Sequence, residues 1–385
     1  RSMRLTVVSA YYPSHGGGME LACLRLVEDM AAGGHEVRWM AQADGALPDV
    51  SQAACYPFSG SDFFYRLSGT PLPLPYPRVL AALIRHLRWS DLVIIAEANF
   101  VISALAFLVA KLLGARIILV QHVGKPSTVS PIAIALAAIV ELLAVRPMMR
   151  SADKVVFVSP WVASHFRQLQ LDRRAVIIGH AIDTDVFRPA SSAADKRAAG
   201  RRLGLPRGPV ACFVGRLTET KGIGILEQMA RQRPDWTFAI AGTGPVDPAA
   251  WGLTNIRHLG QLKPEALTRL YQASDVLVLP SQSESFSLVV REAMACGCAV
   301  ICASQILQTD RRLAEFLATT EVDLVDSAGT AQRFLELLDR ERERASDAEA
   351  ARRYVLSECS PGEVRRRYLA LVDEIGLSAI MAAPL

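Results

Sequence analysis

The sequence carries little excess of either charge. Lys and Arg number 42 against 38 Asp and Glu, a formal net charge of +4. That excludes a general nucleic-acid binder, which needs a concentrated basic face. Cysteine is sparse: seven among 385 residues, irregularly spaced and odd in number. A disulfide scaffold is therefore excluded, and a reducing cytoplasm is the expected home. No long hydrophobic run is present. The most apolar stretch, Val129–Val145, has Pro131 near its start and Glu141 inside it, and it falls short of the roughly 20 residues of a membrane span. No secretory signal is expected: Arg1-Ser2-Met3 reads as a scar before the true start, with strand-like residues following at once. There is no repeat and no low-complexity tract.

What is present is core-forming material. Hydrophobic residues make up 51% and charged residues 21%, which excludes disorder as the main state. Short β-branched runs alternate with helix-length amphipathic segments. The expected strands are Leu5–Ser9, Glu36–Met40, Leu92–Ile95, Ile117–Val120, Lys154–Val158 and Ala175–Ile178, then Val210–Val214, Thr237–Ala241, Ile256–Leu259, Val276–Leu279, Val300–Cys302 and Val322–Val325. Helices are expected at Glu20–Ala32, Val79–Leu87, Val101–Leu113 and Trp161–Gln168. Such alternation implies α/β architecture, with parallel sheets covered by helices on both faces. Two doubly wound, Rossmann-like domains are expected, 1–183 and 184–364, followed by a C-terminal helix in 365–385. Residues 1–183 hold 17 Lys and Arg against 13 Asp and Glu, whereas the rest of the chain is balanced. Chemistry is expected at the carboxyl ends of the strands, in a deep cleft where the two sheets face each other.

Four loops carry candidate chemistry. Tyr12–Glu20, with Gly16, Gly17 and Gly18, joins a strand to a helix; its exposed amides suit a phosphate, and a tight strand–helix turn is the plain alternative. The spacing is not G-x-G-x-x-G, so a dinucleotide fingerprint is absent. Val214–Gly222 places Arg216 just past a strand and Lys221 near the next helix. Two fixed cations fit a diphosphate, the alternative being solvated loop charges. Ser281–Gly297 sets Glu284 before a helix, which Ser283 or Ser285 can cap, and Glu292 about two turns in. A carboxylate there suits vicinal hydroxyls; it could instead pair with Arg291. Gln121-His-Val-Gly124 puts His122 at a strand end, able to bond a sugar hydroxyl or a leaving phosphate, or to serve as a structural histidine. Two further signals are discounted. Asp183-Thr-Asp185 sits at the domain joint before a Phe-Arg-Pro turn, and Cys296, Cys298 and Cys302 lack a histidine nearby. No metal is expected.

Taken in order, GGGME, SADKVVFVSPWVASHF, AIDTDVFRP, VGRLTETKG, IAGTGP and PSQSESFSLVVREAMACG make the chain resemble the retaining glycosyltransferases of family 4, which have the GT-B fold. Glu284 and Glu292 are the two acids of the E-x7-E signature. The resemblance implies a nucleotide-diphosphate sugar donor on the C-terminal domain, with no cofactor and no metal. It implies Arg216 and Lys221 on the diphosphate, Glu292 on the ribose, and the base near Gly242, Gly244 and Leu262. It implies Glu284 and His122 on the donor sugar, with the amides of Ser287, Leu288 and Val289 on sugar and phosphate. Gly17 and Gly18 would close over the diphosphate, and the last helix would cross back to the N-terminal domain. The implied chemistry is transfer with retention by front-face attack, a phosphate oxygen taking the acceptor's proton. The chain departs from the family pattern at Ala299, at Ser304–Asp310, at Ser285 and Ser287, and at His180-Ala181.

The stretch from Phe63 to Arg66, through the proline-rich 71–77 segment to Arg78, Arg85, His86, Arg88 and Trp89, mixes aromatics with cations. Such a face suits an anionic membrane. The expectation is a hexose-type transferase, peripheral on the inner face of the plasma membrane, using a UDP- or GDP-sugar and a lipid-linked saccharide acceptor in surface polysaccharide or glycolipid synthesis. A small soluble acceptor and a non-catalytic nucleotide-sugar binder are the alternatives. The apolar Ile132–Val145 segment reads either as a buried helix or as a second membrane-facing surface.

Overall fold

The computed structural model describes residues 2–15, 18–43, 45–50, 52–61, 73–124, 131–282, 284–343 and 348–381. The chain divides into two compact units, Arg1–Ala181 with Val364–Leu385, and Ile182–Glu363.

The first unit is built on β1 (Arg4–Tyr11), β2 (Glu36–Gln42), β3 (Ala53–Phe58), β4 (Gly60–Ser61), β5 (Leu74–Pro75), β6 (Leu92–Ala96), β7 (Arg116–Gln121), β8 (Lys154–Phe157) and β9 (Ala175–Ile177). Seven of them form a sheet in the order β3-β2-β1-β6-β7-β8-β9. Every pairing within it is parallel; Leu5, for example, stands between Val37 and Leu92. β4 and β5 form a separate antiparallel pair. The central strands are hydrophobic along their whole length because helices cover both faces. Ile117, Ile118 and Leu119 are fully buried, each stabilising the fold by about 2 kcal/mol relative to exposure. Helix Gly18–Ala32 and the last helix, Pro361–Met381, share one core in which Cys23, Met30, Tyr368 and Val372 pack together. Arg365 Nε also donates to Asp29 Oδ1 at 2.7 Å.

The second unit holds β10 (Val210–Val214), β11 (Thr237–Ala241), β12 (Ile256–Gly260), β13 (Val276–Leu279), β14 (Ala299–Ala303) and β15 (Ala318–Thr320). Their order is β12-β11-β10-β13-β14-β15, again parallel throughout. In each sheet the winding direction reverses once, between β1 and β6 and between β10 and β13. In open parallel sheets, ligands bind beside the carboxyl ends of the strands at such a reversal.

Two sequence expectations need correction, and one strand was not foreseen. Val322–Val325 is not a strand; Ala318–Thr320 is. Asp323 Oδ1 accepts from Val325 N at 2.8 Å and Asp326 Oδ1 from Gly329 N at 2.9 Å, so these side chains bend the backbone out of extension. Trp161–Gln168 is not one helix. A short α-helix, Pro160–His165, is followed by a 3-10 turn, Arg167–Leu169, with Gln170 left-handed after it. Ala53–Phe58 is an edge strand that the sequence conceals, since it has no β-branched residue and contains Pro57, which only an edge tolerates.

Candidate active site

At the reversal in the second unit, the loops after β10 and β13 meet. Gly222 is left-handed (φ 75°), and a Cβ there would fall 2.5 Å from the carbonyl oxygen of Pro280. Only glycine lets the two loops approach so closely. The result is an ion pair: Lys221 Nζ lies 2.7 Å from Glu284 Oε1, both side chains retaining a little exposure. Arg216, from the same loop as Lys221, is exposed.

Helix Leu288–Ala295 starts just beyond Glu284. Ser283 lies outside the described residues, and Ser285 is not the cap: the N-cap position is Ser287, left-handed (φ 58°), with no capping bond from its side chain. The Ser287 hydroxyl is buried without a partner. A left-handed serine is strained, and Arg291 explains how the turn persists. Its guanidinium, almost fully buried, donates to the carbonyl oxygens of Phe286 and Ser287 and stacks 3.8 Å above the Phe286 ring. Arg291 is thus engaged with the turn. Glu292 instead accepts from the Tyr271 hydroxyl at 3.0 Å through Oε2. Loss of hydration pushes Glu292 up to about 7, against the pull of that hydrogen bond, yet the residue is only partly buried and keeps acceptor capacity for a hydroxyl donor.

Gly242 and Gly244 lie after β11. A Cβ at Gly242 would sit 1.8 Å from Gly215 O, and one at Gly244 would sit 2.4 Å from Leu217 O. Both are required by contact between the loops after β10 and β11, whatever else they touch. Leu262, in the loop after β12, is half-buried.

In the first unit, Gly18 opens the helix after β1 and is exposed, while Gly17 lies outside the described residues. His122 follows β7 directly. It is buried, its ring stacks on His180 with centroids 5.2 Å apart, and burial and then the neighbouring His180 hold it well below its ordinary pKa. It is therefore neutral at physiological pH. Sequence reasoning missed the group beneath it. Glu97, at the end of β6, has φ 66° and is 1% exposed. Oε2 accepts from the amides of His122 (2.8 Å) and Val123 (3.1 Å). Oε1 accepts from Gln121 Nε2 (2.6 Å) and from Asn99 Nδ2. Burial pushes Glu97 up to about 7, while these donors pull it down. The available signal was an acid directly after an all-apolar strand, a position that burial forbids unless the acid is bonded.

Residues 16–186 match the family described as Glycosyltransferase Family 4. Residues 208–340 match the one described as Glycosyl transferases group 1. The two matches together take in the second sheet whole and every strand of the first except β1.

The chain belongs to the family 4 glycosyltransferases.

Relatives of this family 4 chain include the D-inositol 3-phosphate glycosyltransferases of Mycobacterium sp. strain KMS, 36% identical over 145 residues (34% of this chain, 32% of the relative), and of Mycobacterium tuberculosis strain H37Ra, 34% identical over 148 residues (34% and 29%). The matched stretch is thus about a third of the length of these relatives. Solved structures share the fold over nearly the whole chain. Sucrose-phosphate synthase from Thermosynechococcus elongatus superposes with a TM-score of 0.76 at 19% identity, covering 98% of this chain and 100% of that one. Anabaena HepE, solved in complex with UDP and glucose, gives 0.74 at 17% identity, covering 97% and 100%. The fold of this family 4 glycosyltransferase is GT-B. Among the described residues, no cluster of three or more His, Cys, Asp or Glu could hold a metal ion. The cysteines are free and, apart from the half-buried Cys55, buried. Asp183 works as a turn cap, accepting from Val186 N at 3.2 Å.

Proposed function

We propose that the chain is a retaining glycosyltransferase that moves a hexose-type sugar from a UDP- or GDP-sugar to a hydroxyl of a lipid-linked saccharide. The observation that carries this reading is the Lys221–Glu284 pair at a sheet reversal, with the helix start at Leu288 and Glu292 in the same segment. Lys221 and Arg216 bind the diphosphate as it becomes the leaving group, and the amides of Leu288 and Val289 add the positive end of the helix. Glu284, already aligned by Lys221, accepts from the hydroxyls of the transferred sugar. Glu292 takes the ribose hydroxyls, oriented by Tyr271. The base rests near Gly242, Gly244 and Leu262.

In the first unit, neutral His122 accepts from or donates to a sugar hydroxyl. Gly17 and Gly18 lie over the diphosphate, and the acceptor binds this unit. Attack comes from the leaving-group side. The acceptor oxygen bonds to the anomeric carbon, that carbon's bond to the phosphate oxygen breaks, and the acceptor's proton passes to a diphosphate oxygen. Positioning and charge stabilisation supply the rate, with no protein nucleophile and no metal ion.

A second reading is favoured by one observation, the inositol phosphate named as the acceptor of the mycobacterial relatives: the acceptor is a small phosphorylated polyol. The two are separated by measuring UDP or GDP release from a donor panel with a lipid-linked saccharide and with an inositol phosphate. The anomeric configuration of the product is read by NMR. The proposal predicts turnover with the lipid-linked acceptor and a product of the donor's configuration. Inversion, or nucleotide affinity without turnover on either acceptor, would overturn it.

A further inference from the structure

The sheet of the first unit is covered unequally. One face carries helix Gly18–Ala32 and the last helix, packed together in the core. The strands from β6 to β9 run outward in the opposite direction, and crossovers are right-handed, so their helices lie on the other face. These are Val79–Trp89, Val101–Leu112 and the continuous helical stretch from Pro131 to Ser151. The first two pack against each other.

Each of these helices buries one side and leaves apolar side chains on the other. Ile84, Leu108 and Ile139 are exposed, as are Leu112 (78%), Leu142 (60%) and Leu143 (72%). Segment 134–140 contains no polar residue at all. Single exposed leucines are ordinary, but this many on one face mark a surface that something covers. The sequence left Ile132–Val145 open between a buried helix and an exposed apolar one; its residues from 134 to 143 are largely exposed.

Charge chooses the occupant. The three helices contain five cations, of which Arg85, Arg88, Lys111 and Arg150 are exposed, and one acid. That acid, Glu141, is already held by Arg146 at 2.8 Å and by His165 at 2.8 Å. The face is thus apolar, cationic and free of unpaired acid, the combination that fits acyl chains beneath anionic headgroups. A second copy of the chain would set cations against cations. Two basic-face residues of the sequence reading are not part of it. His86 is buried against Arg38, and Trp89 lies under the same guanidinium at 3.7 Å. The aromatic stretch Phe63–Arg66 lies outside the described residues.

We propose that this face is a membrane-docking surface, with Leu142 and Leu143 entering the acyl boundary of an anionic phospholipid bilayer and Arg85, Arg88, Lys111 and Arg150 meeting its headgroups. The proposal deepens the lipid-linked reading, since it brings the acceptor-binding unit to the bilayer, yet it does not depend on the transfer chemistry. The test is flotation of the full chain with phosphatidylcholine vesicles and with vesicles containing about one-third phosphatidylglycerol, at low and high salt. UDP and GDP binding and light scattering are measured on the same samples. The expected result is flotation with the anionic vesicles, weakened by salt, and a loss of at least about tenfold in Leu142→Asp/Leu143→Asp. That variant keeps the wild-type melting temperature and nucleotide affinity. Absence of flotation would overturn the proposal. So would equal binding to both vesicles, or a dimer that the same variant dissociates. Failure to bind either nucleotide would count against the transferase reading alone.

Discussion

Lys221 and Glu284, 63 positions apart, meet at 2.7 Å where the loops leaving β10 and β13 converge. Glycine at position 222 is what allows the approach. If the pair were only structural, removing both charges together would be mild. If it serves the diphosphate and the sugar, Lys221→Met lowers turnover by about a hundredfold. Adding Glu284→Gln then brings no recovery. Steady-state kinetics on the singles and the double, with melting temperatures as controls, distinguish the two.

Glu292 supplies a pH signature. Burial raises it from its ordinary 4.5 to about 7, so the folded chain holds a proton there that the unfolded chain releases. Its stabilising contribution is fully present below 4.5 and disappears as pH rises through about 7. Nucleotide affinity moves the other way, because ribose hydroxyls bond most strongly to the ionised carboxylate. In Glu292→Gln both dependences flatten, and affinity at pH 8 falls by about tenfold. Denaturation and nucleotide titration across pH 5 to 8, each compared with wild type, measure the two slopes.

The turn at Ser287 stores strain that Arg291 holds in place. Ser287→Gly relieves the left-handed backbone and removes an unpartnered hydroxyl; stability is expected to rise by about 1 kcal/mol. Arg291→Met strands the Phe286 and Ser287 carbonyls and is expected to cost about 2 kcal/mol. Adding Ser287→Gly to Arg291→Met recovers part of that loss. Chemical denaturation of the four proteins gives the answer.

Glu97 is a positioning residue for the His122 loop. Its four partners are all N–H donors. Glu97→Gln turns two donors of its own toward them, with an expected cost of about 2 kcal/mol. His122 loses its place as the 121–123 backbone shifts. Turnover is expected to fall while nucleotide affinity, which the proposed function assigns to the other unit, stays at the wild-type level. Equal loss of both would contradict the assignment.

The sequence disclosed the strands that are buried on both faces, because β6, β7, β10 and β13 are short apolar runs bounded by breakers. It also disclosed the segments bearing Lys221, Glu284 and Glu292, since charge beside glycine at a strand end is locally visible. It concealed what depends on partners far along the chain. Glu97 is marked in the sequence only by its place after an all-apolar strand, and its partners come together only when the 121–123 backbone is folded onto it. Arg291 stands in the sequence as an alternative partner for Glu292, and only the folded turn shows it engaged with the Phe286 and Ser287 carbonyls instead. Ala53–Phe58 is a strand only because β2 offers it an edge, and Val322–Val325 fails as one because Asp323 and Asp326 bond their own backbone. The apolar 134–143 segment has the composition of core, and only the placement of its neighbours leaves it exposed.

The most direct test is calorimetric titration of UDP and of GDP into the wild-type chain, Lys221→Met and Glu292→Gln. The account predicts saturable binding of one nucleotide by the wild type, with affinity lower by about tenfold or more in each variant. Binding of neither nucleotide, or unchanged affinity in both variants, would contradict it.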